Sequence, residues 1–313
     1  MAPPALPATP RDHPQVVLVT GYNCPPVDLV CQPFKEALRR TGVVGRVLSF
    51  DRREDLVATV SLLARQRPDL ILIFPDFPSN IALQVATKFP ETQFVFLEPQ
   101  QPLPRRSDNV QGLFIRTHEA AYLAGWLAGR LEQRRPGPDV VGVVGGVKIR
   151  AVEDFIVGFR AGARRGAPGV TVLTGYSQDF VDARKCEAIA RRQIERGAGA
   201  IFNVAGGCGL GALRAARREH VWGIGVDLDQ SGLGPHILTS VLKSYGDVFA
   251  TLMRELRAGR IRHGATRTFS LRGGSAGLGR ISPRVPAALR AELDAVRRQI
   301  IQGKITVPGV APA

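Results

Sequence analysis

Glycines and an acidic residue follow two apolar runs in the second half of the sequence. After "IFNVA", Gly207, Gly209 and Ala212 match the G-x-G-x-x-G/A spacing of dinucleotide-binding turns, and "WGIGV" ends at Asp227 about twenty residues later. Glycine lets a backbone approach a ligand closely, and N–H groups at a helix start attract oxygen-rich groups. A carboxylate can accept both hydroxyls of a ribose. The pattern predicts a ribose-binding site or, alternatively, a plain strand-to-helix turn with Asp227 as a helix N-cap.

The sequence offers no arrangement of residues typical of catalysis. A nicotinamide fingerprint usually opens its domain, whereas this glycine pattern comes late. No G-x-S-x-G turn, Walker lysine or H-E-x-x-H pair occurs, and none of the five histidines stands in a recognisable pairing with an acidic orienting residue. We therefore predict a binding protein and not an enzyme, with no cofactor.

The four cysteines, Cys24, Cys31, Cys186 and Cys208, show neither C-x-x-C spacing nor an accompanying cluster of histidines. A zinc site is therefore not expected, and we predict no metal. Free, partly buried thiols are the expectation. A Cys24–Cys31 disulfide is the alternative if the protein is exported.

The chain carries a formal net charge of +15, from 36 arginines and six lysines against 27 acidic residues. These cations are scattered through helical segments, and no compact basic run with interleaved aromatics occurs. We expect solvated helix faces, weak affinity for polyanions and no specific nucleic-acid partner.

Apolar runs alternate with segments of helical periodicity along almost the whole chain, which predicts parallel sheets with helices on both faces. The predicted strands are 16–20, 45–50, 69–74, 93–98, 110–115, 140–145, 170–175, 200–205, 221–226, 236–242 and 266–271. The predicted helices are 29–41, 53–66, 79–89, 117–133, 151–165, 182–197, 209–219, 244–259 and 284–303.

These strands are too many for one sheet, and the series restarts after the Pro- and Gly-rich stretch 132–139. We predict two doubly wound α/β lobes whose sheets and faces the tail completes. The N-terminal lobe is expected at 15–115 plus about 243–270, and the C-terminal lobe at 116–242 plus about 271–313. Ligands bind at the carboxyl ends of such strands, so the glycine turn and Asp227 should line one cleft.

Residues 1–14 are rich in proline and are expected to form a disordered arm. This stretch lacks the basic and apolar regions of a secretory signal, and no run reaches the ~18 apolar residues of a membrane span. The sequence as it stands predicts a cytoplasmic protein, unless an export signal is missing from it.

Several segments resemble the basic membrane protein family, substrate-binding proteins of ABC transporters that include a purine nucleoside receptor lipoprotein. In the second half they are "VVGVVGGVKIRAVEDFIVGFRAGA", "GYSQDFVDARKCEAIARRQIERGAGAIFNVAGGCGLGAL" and "GIGVDLDQ…ILTSVLK". In the first half they are "ILIFPDFPSNIALQVATKFPETQFVFLE" and "FIRTHEAAYLAGWLAGRL". The likeness runs in order through about residues 14–275, and "NVAGGCGLG" with "GVDLDQ" is its most specific part.

The resemblance implies a type I periplasmic-binding-protein-like fold without enzyme activity. Two doubly wound parallel-sheet lobes would close on a ligand in a cleft at a multi-strand hinge, near residues 114–116, 240–243 and 270–275. The implied ligand-binding residues are Gln32, Glu119, Phe180, Gly206, Gly207, Asp227 and Lys243.

Each implied residue matches a position of the family's motifs. Phe180 matches an aromatic that stacks on the base, Asp227 the ribose-binding aspartate, and Lys243 a lysine after the next strand. Gly206 and Gly207 match glycines of the cleft. Glu119 matches an acidic residue before "YLAG". From sequence alone, Phe180 equally fits a loop side chain packed into the core, and Glu119 a first-turn helix carboxylate.

The first lobe departs from the family's pattern. Members carry Asp-Lys-Ser-Phe-Asn-Gln after the first strand, and the aligned stretch here is "VDLVCQ". Val30 stands in place of a second stacking Phe and Cys31 in place of the Asn, while Gln32 is kept. Losing one stacking face costs about 1–3 kcal/mol unless Tyr22 or Phe77 replaces it.

We therefore predict the substrate-binding component of an ABC-type uptake system, with a nucleoside-like ligand and an ABC permease as partners. If a leader is missing, the resemblance implies the outer face of the cytoplasmic membrane. One alternative is a cytoplasmic ligand sensor or regulator with a changed ligand, which the altered "VDLVCQ" favours. A less favoured alternative is a nucleoside- or nucleotide-processing enzyme, which would need an acid/base pair in the cleft.

Overall fold

The structure is a computed structural model that describes residues 14–21, 24, 28–50, 56–74, 84–99, 103, 108–261 and 266–310. The chain divides into two compact units. Unit 1 comprises Met1–Phe114, Tyr245–Arg267 and Ala313, and unit 2 comprises Ile115–Ser244 and Thr268–Pro312. Of the expected disordered arm, only residue 14 is among the described residues.

Unit 1 is built on a six-stranded sheet. Its strands are β1 (Gln15–Thr20), β2 (Val44–Ser49), β3 (Leu70–Phe74), β4 (Gln93–Leu97) and β5 (Val110–Ile115), joined at the edge by β11 (Arg267–Phe269). The order is β11-β5-β4-β3-β1-β2, and β1 to β5 pair in parallel. The helices are α1 (Cys31–Thr41), α2 (Leu56–Arg65) and α7 (Tyr245–Arg257).

Both faces of this sheet are covered, which explains its continuous apolar strands. All five residues of β3 are buried, as in a parallel sheet with helices on both sides. Alternate residues of the strands, such as Val17 and Ile73, pack with α2. Elsewhere in unit 1, α1 meets α7 through an edge-to-face contact between Phe34 and Phe249, whose ring centroids are 5.5 Å apart.

The start of α1 contains the altered stretch "VDLVCQ". The Asp28 carboxylate accepts hydrogen bonds from the backbone N–H groups of Val30, Cys31 and Gln32, which satisfies the first donors of the helix. Val30 and Cys31 are fully buried. Neither side chain can therefore offer a ligand the stacking surface that the family's Phe would offer. Cys31 is also joined to Cys24 by a disulfide.

Unit 2 contains a second six-stranded sheet. Its strands are β6 (Val140–Gly145), β7 (Thr171–Tyr176), β8 (Ala200–Val204), β9 (Trp222–Asp227), β10 (Ile237–Lys243) and β12 (Ala276–Leu278). The order is β12-β10-β9-β8-β6-β7, parallel except for β12, which is antiparallel to β10. The helices are α3 (Thr117–Glu132), α4 (Arg150–Gly166), α5 (Ala183–Glu195), α6 (Gly209–Arg218) and α8 (Ala287–Ile301).

Helices α3 and α4 approach each other so closely that only glycine fits between their backbones. A Cβ atom on Gly162 would lie 1.9 Å from the carbonyl oxygen of Tyr122, and one on Gly125 would lie 2.1 Å from that of Phe159. Atoms of the backbone cannot rotate away as a flexible side chain can. These glycines therefore set the distance between the two helices.

The disulfides correct one expectation from the sequence. Cys186 and Cys208 form a second bond, between the first turn of α5 and the start of α6, and no cysteine is free. The expectation of free thiols is wrong, because helix packing brings together two cysteines that are 22 residues apart in the chain.

The predicted strands and helices are confirmed, with ends shifted by a few residues, except that the helices at 53–66 and 79–89 lie partly outside the described residues. The short antiparallel strand β12 was not predicted. Within the described part of the chain, no helix combines the length and apolar character needed to cross a bilayer.

Replacing Gly162 by alanine should destabilise unit 2. Alanine is the better helix former by about 1 kcal/mol, but overpacking against backbone costs about 1–3 kcal/mol or more. We expect a net loss of about 1–2 kcal/mol and a melting temperature lower by about 2–8 °C. Gly232→Ala is the matched control, because a Cβ atom there meets nothing within 4 Å. Equal melting temperatures for the two variants would show that the helices lie further apart.

Candidate functional site

The parallel strands of unit 2 place the predicted site residues along one edge of its sheet. Strands β8, β9 and β10 run in the same direction, so their carboxyl ends lie side by side. Gly206 and Gly207 follow β8, Asp227 ends β9 and Lys243 ends β10. We refer to this group of strand ends in unit 2 as the carboxyl edge.

Phe180 lies at the carboxyl edge, in the loop between β7 and α5. A Cβ atom on Gly146, which follows β6, would lie 2.3 Å from the Phe180 ring, and one on Gly207 would lie 3.3 Å from the Phe180 carbonyl oxygen. The side chain is 38% exposed, so it is not packed into the core. The structure therefore brings Phe180, Gly206 and Gly207 together, and it adds Gly146, which the sequence analysis did not include.

The loop that carries Phe180 is fixed by the carboxylate of Asp179. One carboxylate oxygen accepts hydrogen bonds from the N–H groups of Val181 (2.7 Å) and Asp182 (3.1 Å), and the other accepts one from Lys185 Nζ (2.7 Å). The Lys185 ammonium, together with these N–H groups, holds the pKa of Asp179 well below its usual range. The ionised clamp is therefore complete above the unfolded pKa of about 3.9 and is lost only as pH falls through the lower folded value.

A second anchor holds the backbone of the Phe180 loop. The N–H of Cys208 donates a 2.9 Å hydrogen bond to the Phe180 carbonyl oxygen, and the Cys186–Cys208 disulfide joins α5 to α6 at this point. A Cβ atom on Gly211 would lie 1.8 Å from the carbonyl oxygen of Ala183, so the two helices touch here. The backbone of the Phe180 loop is therefore held by both neighbouring helices.

Asp227 has a backbone conformation that few residues adopt. Its φ is 65°, and the N–H of Leu228 donates a 2.7 Å hydrogen bond to the carbonyl oxygen of Val226 across it. This is a γ-turn of the rare positive-φ form, and aspartate is among the residues that tolerate positive φ. Asp229 has a different role, because its carboxylate accepts the N–H groups of Ser231 (3.0 Å) and Arg280 (3.2 Å).

A polar network near the carboxyl edge connects β8, β9 and β10. Gln230 Oε1 accepts the N–H of Val226 (3.0 Å) and a hydrogen bond from Asn203 Nδ2 (3.4 Å), and the Gln230 N–H donates to Ser240 Oγ (2.9 Å). Asn203 is fully buried, and its Oδ1 accepts the N–H of Ala205 before the glycine turn. No motif or spacing in the sequence predicts a role for these residues.

The remaining predicted residues occupy different surroundings. Lys243 is 7% exposed at the end of β10. Glu119, also within unit 2, accepts the N–H of Leu271 (3.0 Å) and a hydrogen bond from Arg116 Nη1 (3.3 Å), so it has a structural role. Gln32 is exposed in the first turn of α1 in unit 1.

Tyr22 and Phe77 are the candidates to replace the missing first-lobe ring. Both lie outside the described residues. Within the ranges that the structure describes, no three histidine, cysteine, aspartate or glutamate side chains are grouped to hold a metal ion.

Residues 34–310 match the family described as ABC transporter substrate-binding protein PnrA-like (Bmp). Basic membrane protein A1 of Borrelia garinii subsp. bavariensis is 28% identical over 239 residues, which cover 74% of this chain and 68% of that protein. The ABC transporter nucleoside-binding protein BmpA of Lactococcus lactis is 28% identical over 255 residues, which cover 74% and 70%.

Solved structures that are similar over almost the whole chain include the following two. A solute-binding protein of an ABC transporter system from Aeropyrum pernix K1 has a TM-score of 0.77 at 19% identity and covers 96% of this chain and 94% of its own. A transcriptional activator of the comK gene from Bacillus halodurans has a TM-score of 0.76 at 16% identity, with coverages of 94% and 99%. At these identities the likeness shows the fold, which is type I periplasmic-binding-protein-like.

Removing the Asp179 carboxylate should loosen the Phe180 loop. In Asp179→Ala the N–H groups of Val181 and Asp182 lose their acceptor, and we expect their hydrogen exchange to accelerate several-fold. Lys185→Gln removes only the ammonium and should have a smaller effect. Hydrogen exchange with mass spectrometry over residues 178–184 measures this, with β8 as the internal reference. Unchanged exchange in Asp179→Ala would show that the carboxylate does not hold the loop.

Proposed function

Because the chain belongs to the family of PnrA-like ABC transporter substrate-binding proteins, we propose that it binds a nucleoside-like small molecule for an ABC-type uptake system. The observation that carries the proposal is the exposed Phe180 ring at the carboxyl edge, on the same sheet edge as Asp227. A ring offers a stacking surface to a base, and a carboxylate offers acceptors to ribose hydroxyls.

The anchoring of the Phe180 backbone supports a binding role, because a loop that is already ordered loses little conformational entropy when a ligand stacks on its ring. Base–aromatic stacking contributes about 1–3 kcal/mol in other proteins. The glycines beside the ring leave room for a ligand, since Gly206 and Gly207 carry no side chain and are exposed. The positive-φ turn at Asp227 also supports a binding role, because strained backbone conformations concentrate at ligand sites.

The nucleoside is proposed as the ligand on two grounds. BmpA of Lactococcus lactis is a nucleoside-binding protein by its name, and the base and ribose have matching groups here in Phe180 and Asp227. The altered first-lobe stretch argues for weaker binding than two rings would give, because Val30 and Cys31 are buried. Gln32, Glu119 and Lys243 belong to the proposed site only through the family resemblance.

We expect no catalytic activity. Glu119, the one predicted carboxylate of the site besides Asp227, already accepts a backbone N–H and an arginine. Incubation with adenosine, inosine and guanosine, followed by chromatography, should return the nucleosides unchanged.

Closing of the two lobes on the ligand is part of the proposal. Small-angle X-ray scattering should show a smaller radius of gyration on saturation, and an unchanged radius would argue against closure.

The disulfides favour the outer face of the cytoplasmic membrane over the cytoplasm as the working compartment. Thiols of cytosolic proteins are normally kept reduced, whereas disulfides persist in oxidising compartments. The same observation weighs against the cytoplasmic sensor as the alternative function.

The count of reactive thiols tests the compartment. Protein isolated from its own cells, unfolded without reductant and treated with a thiol reagent, should show none of the four cysteines reacting, because Cys24–Cys31 and Cys186–Cys208 are bonded. Four reactive thiols in protein trapped at the moment of lysis would place it in a reducing compartment and favour the sensor.

A thermal-shift screen tests the ligand. Inosine, guanosine or adenosine at about 100 times its dissociation constant should stabilise the protein by about 2.7 kcal/mol, and free bases and nucleotides should do less. Phe180→Ala and Asp227→Asn should reduce the shift, and asparagine still tolerates the positive φ at position 227. Asp229→Asn is the matched control, which should lower the melting temperature of the free protein and keep the shift. No shift with any nucleoside would refute the nucleoside as ligand.

A further inference from the structure

A basic cavity lies at the opposite edge of the unit 2 sheet, where its parallel strands begin. The cavity measures about 370 Å³ and is next to the first residues of β9 and β10. The cavity and the carboxyl edge lie at opposite ends of the same strands, so the length of β9 and β10 separates them. We define the basic cavity by the side chains Arg135, Arg217, His220, Trp222, His236 and Arg284.

Two of its arginines have no carboxylate within salt-bridge distance among the described residues, namely Arg217 and Arg284. Neighbouring arginines are paired: Arg135 Nη2 lies 2.8 Å from Glu132 Oε2, and Arg218 Nη1 lies 2.6 Å from Glu187 Oε1. The cavity therefore has two guanidinium groups whose charge no described carboxylate balances. Arg217 also lies in the last turn of α6, where the helix carbonyls offset part of its charge.

The Arg284 guanidinium is positioned before any ligand arrives. Its Cζ lies 4.5 Å from the centroid of the Trp222 ring, in a cation–π arrangement. Its Nη1 also lies 3.5 Å from the Pro235 carbonyl oxygen. A guanidinium over a ring keeps N–H groups at its edge, and those of Arg284 that do not face Pro235 can pair with phosphate oxygens.

His236 adds a polar atom that lacks a partner. The residue is 8% exposed, and its Nδ1 is buried without a hydrogen bond to any described residue. Burial, and then the nearby Arg217, lower the pKa of His236. The ring is therefore neutral at neutral pH, and because its other nitrogen faces the Leu213 backbone carbonyl, the ring proton lies there and Nδ1 is left as an acceptor for a ligand hydroxyl. Buried polar atoms without partners are rare in native proteins, so this one calls for a ligand or an ordered water.

We propose that the basic cavity binds a small phosphate-bearing anion through Arg217 and Arg284. The volume lies within the range of small-molecule sites and exceeds that of one inorganic anion. The site therefore has room for a pyrophosphate or for a phosphate attached to a small body. Two sources share this chemistry, a free phosphorylated solute and a phospholipid headgroup.

Trp222 reports on the site directly. It is one of two tryptophans, and the other, Trp126, is 7% exposed outside the cavity. Pyrophosphate that binds Arg284 should alter the fluorescence of Trp222 in a saturable way below about 1 mM at constant ionic strength. Trp222→Phe should abolish that signal.

The decisive variant is the pair Arg217→Gln/Arg284→Gln. We expect its affinity for pyrophosphate, measured by calorimetry, to fall at least tenfold. Arg297→Gln/Arg298→Gln is the matched control, because it removes the same charge from the exposed face of α8, outside the cavity. This control should stay within about twofold of the parent. An equal loss in both variants, or no saturable binding by the parent, would overturn the proposal.

A second experiment distinguishes a soluble phosphorylated ligand from a phospholipid headgroup. Co-sedimentation with vesicles containing phosphatidylglycerol, compared with phosphatidylcholine alone, measures headgroup binding by the same variants. Pyrophosphate binding that depends on Arg217 and Arg284 assigns a soluble ligand, and vesicle binding with the same dependence assigns a headgroup. Vesicle binding that falls equally in the control variant reflects net charge alone and contradicts the site.

Discussion

The Gln230 side chain is the point on which the site in unit 2 depends. Its amide oxygen accepts the N–H of Val226 and a hydrogen bond from Asn203, and the backbone N–H of Gln230 donates to Ser240. The turn after β8, the turn at Asp227 and strand β10 are thereby tied to one another. A Cβ atom on Gly225 would lie 2.5 Å from both Gln230 Oε1 and Ser240 Oγ, so the network fits only beside a glycine. Buried networks of this kind are stable when every member is paired.

The same sheet separates two kinds of chemistry. Its carboxyl edge presents an aromatic ring, glycines and a carboxylate, which suit an uncharged ligand with hydroxyls. Its opposite edge presents arginines, which suit an anion. The overall fold does not decide between transport and regulation, because a solute-binding protein and a transcriptional activator both have it. The functional account therefore depends on the family match and on the residues of each edge.

The sequence predicts the fold well because alternation of apolar runs and helical periods is a strong signal over long segments. The sequence pattern also places Asp227 at the end of a strand, and the family resemblance points to Phe180; the binding roles of both residues stay predictions. Asn203 and Gln230 could not be predicted in this way, because no characteristic sequence spacing marks a polar residue that bridges strands. The Cys186–Cys208 bond escapes it too, because the contact depends on how α5 and α6 pack.

The central claim is that Asp227 binds the ribose of a nucleoside. Isothermal titration of guanosine, 2′-deoxyguanosine and 3′-deoxyguanosine with the parent protein and with Asp227→Asn tests it most directly. A hydrogen bond to a charged group is worth about 1.5–3 kcal/mol. The parent should therefore bind each deoxy ligand about tenfold to a hundredfold more weakly than guanosine, and Asp227→Asn should discriminate much less. Equal discrimination by both proteins would contradict the account and place the ribose elsewhere.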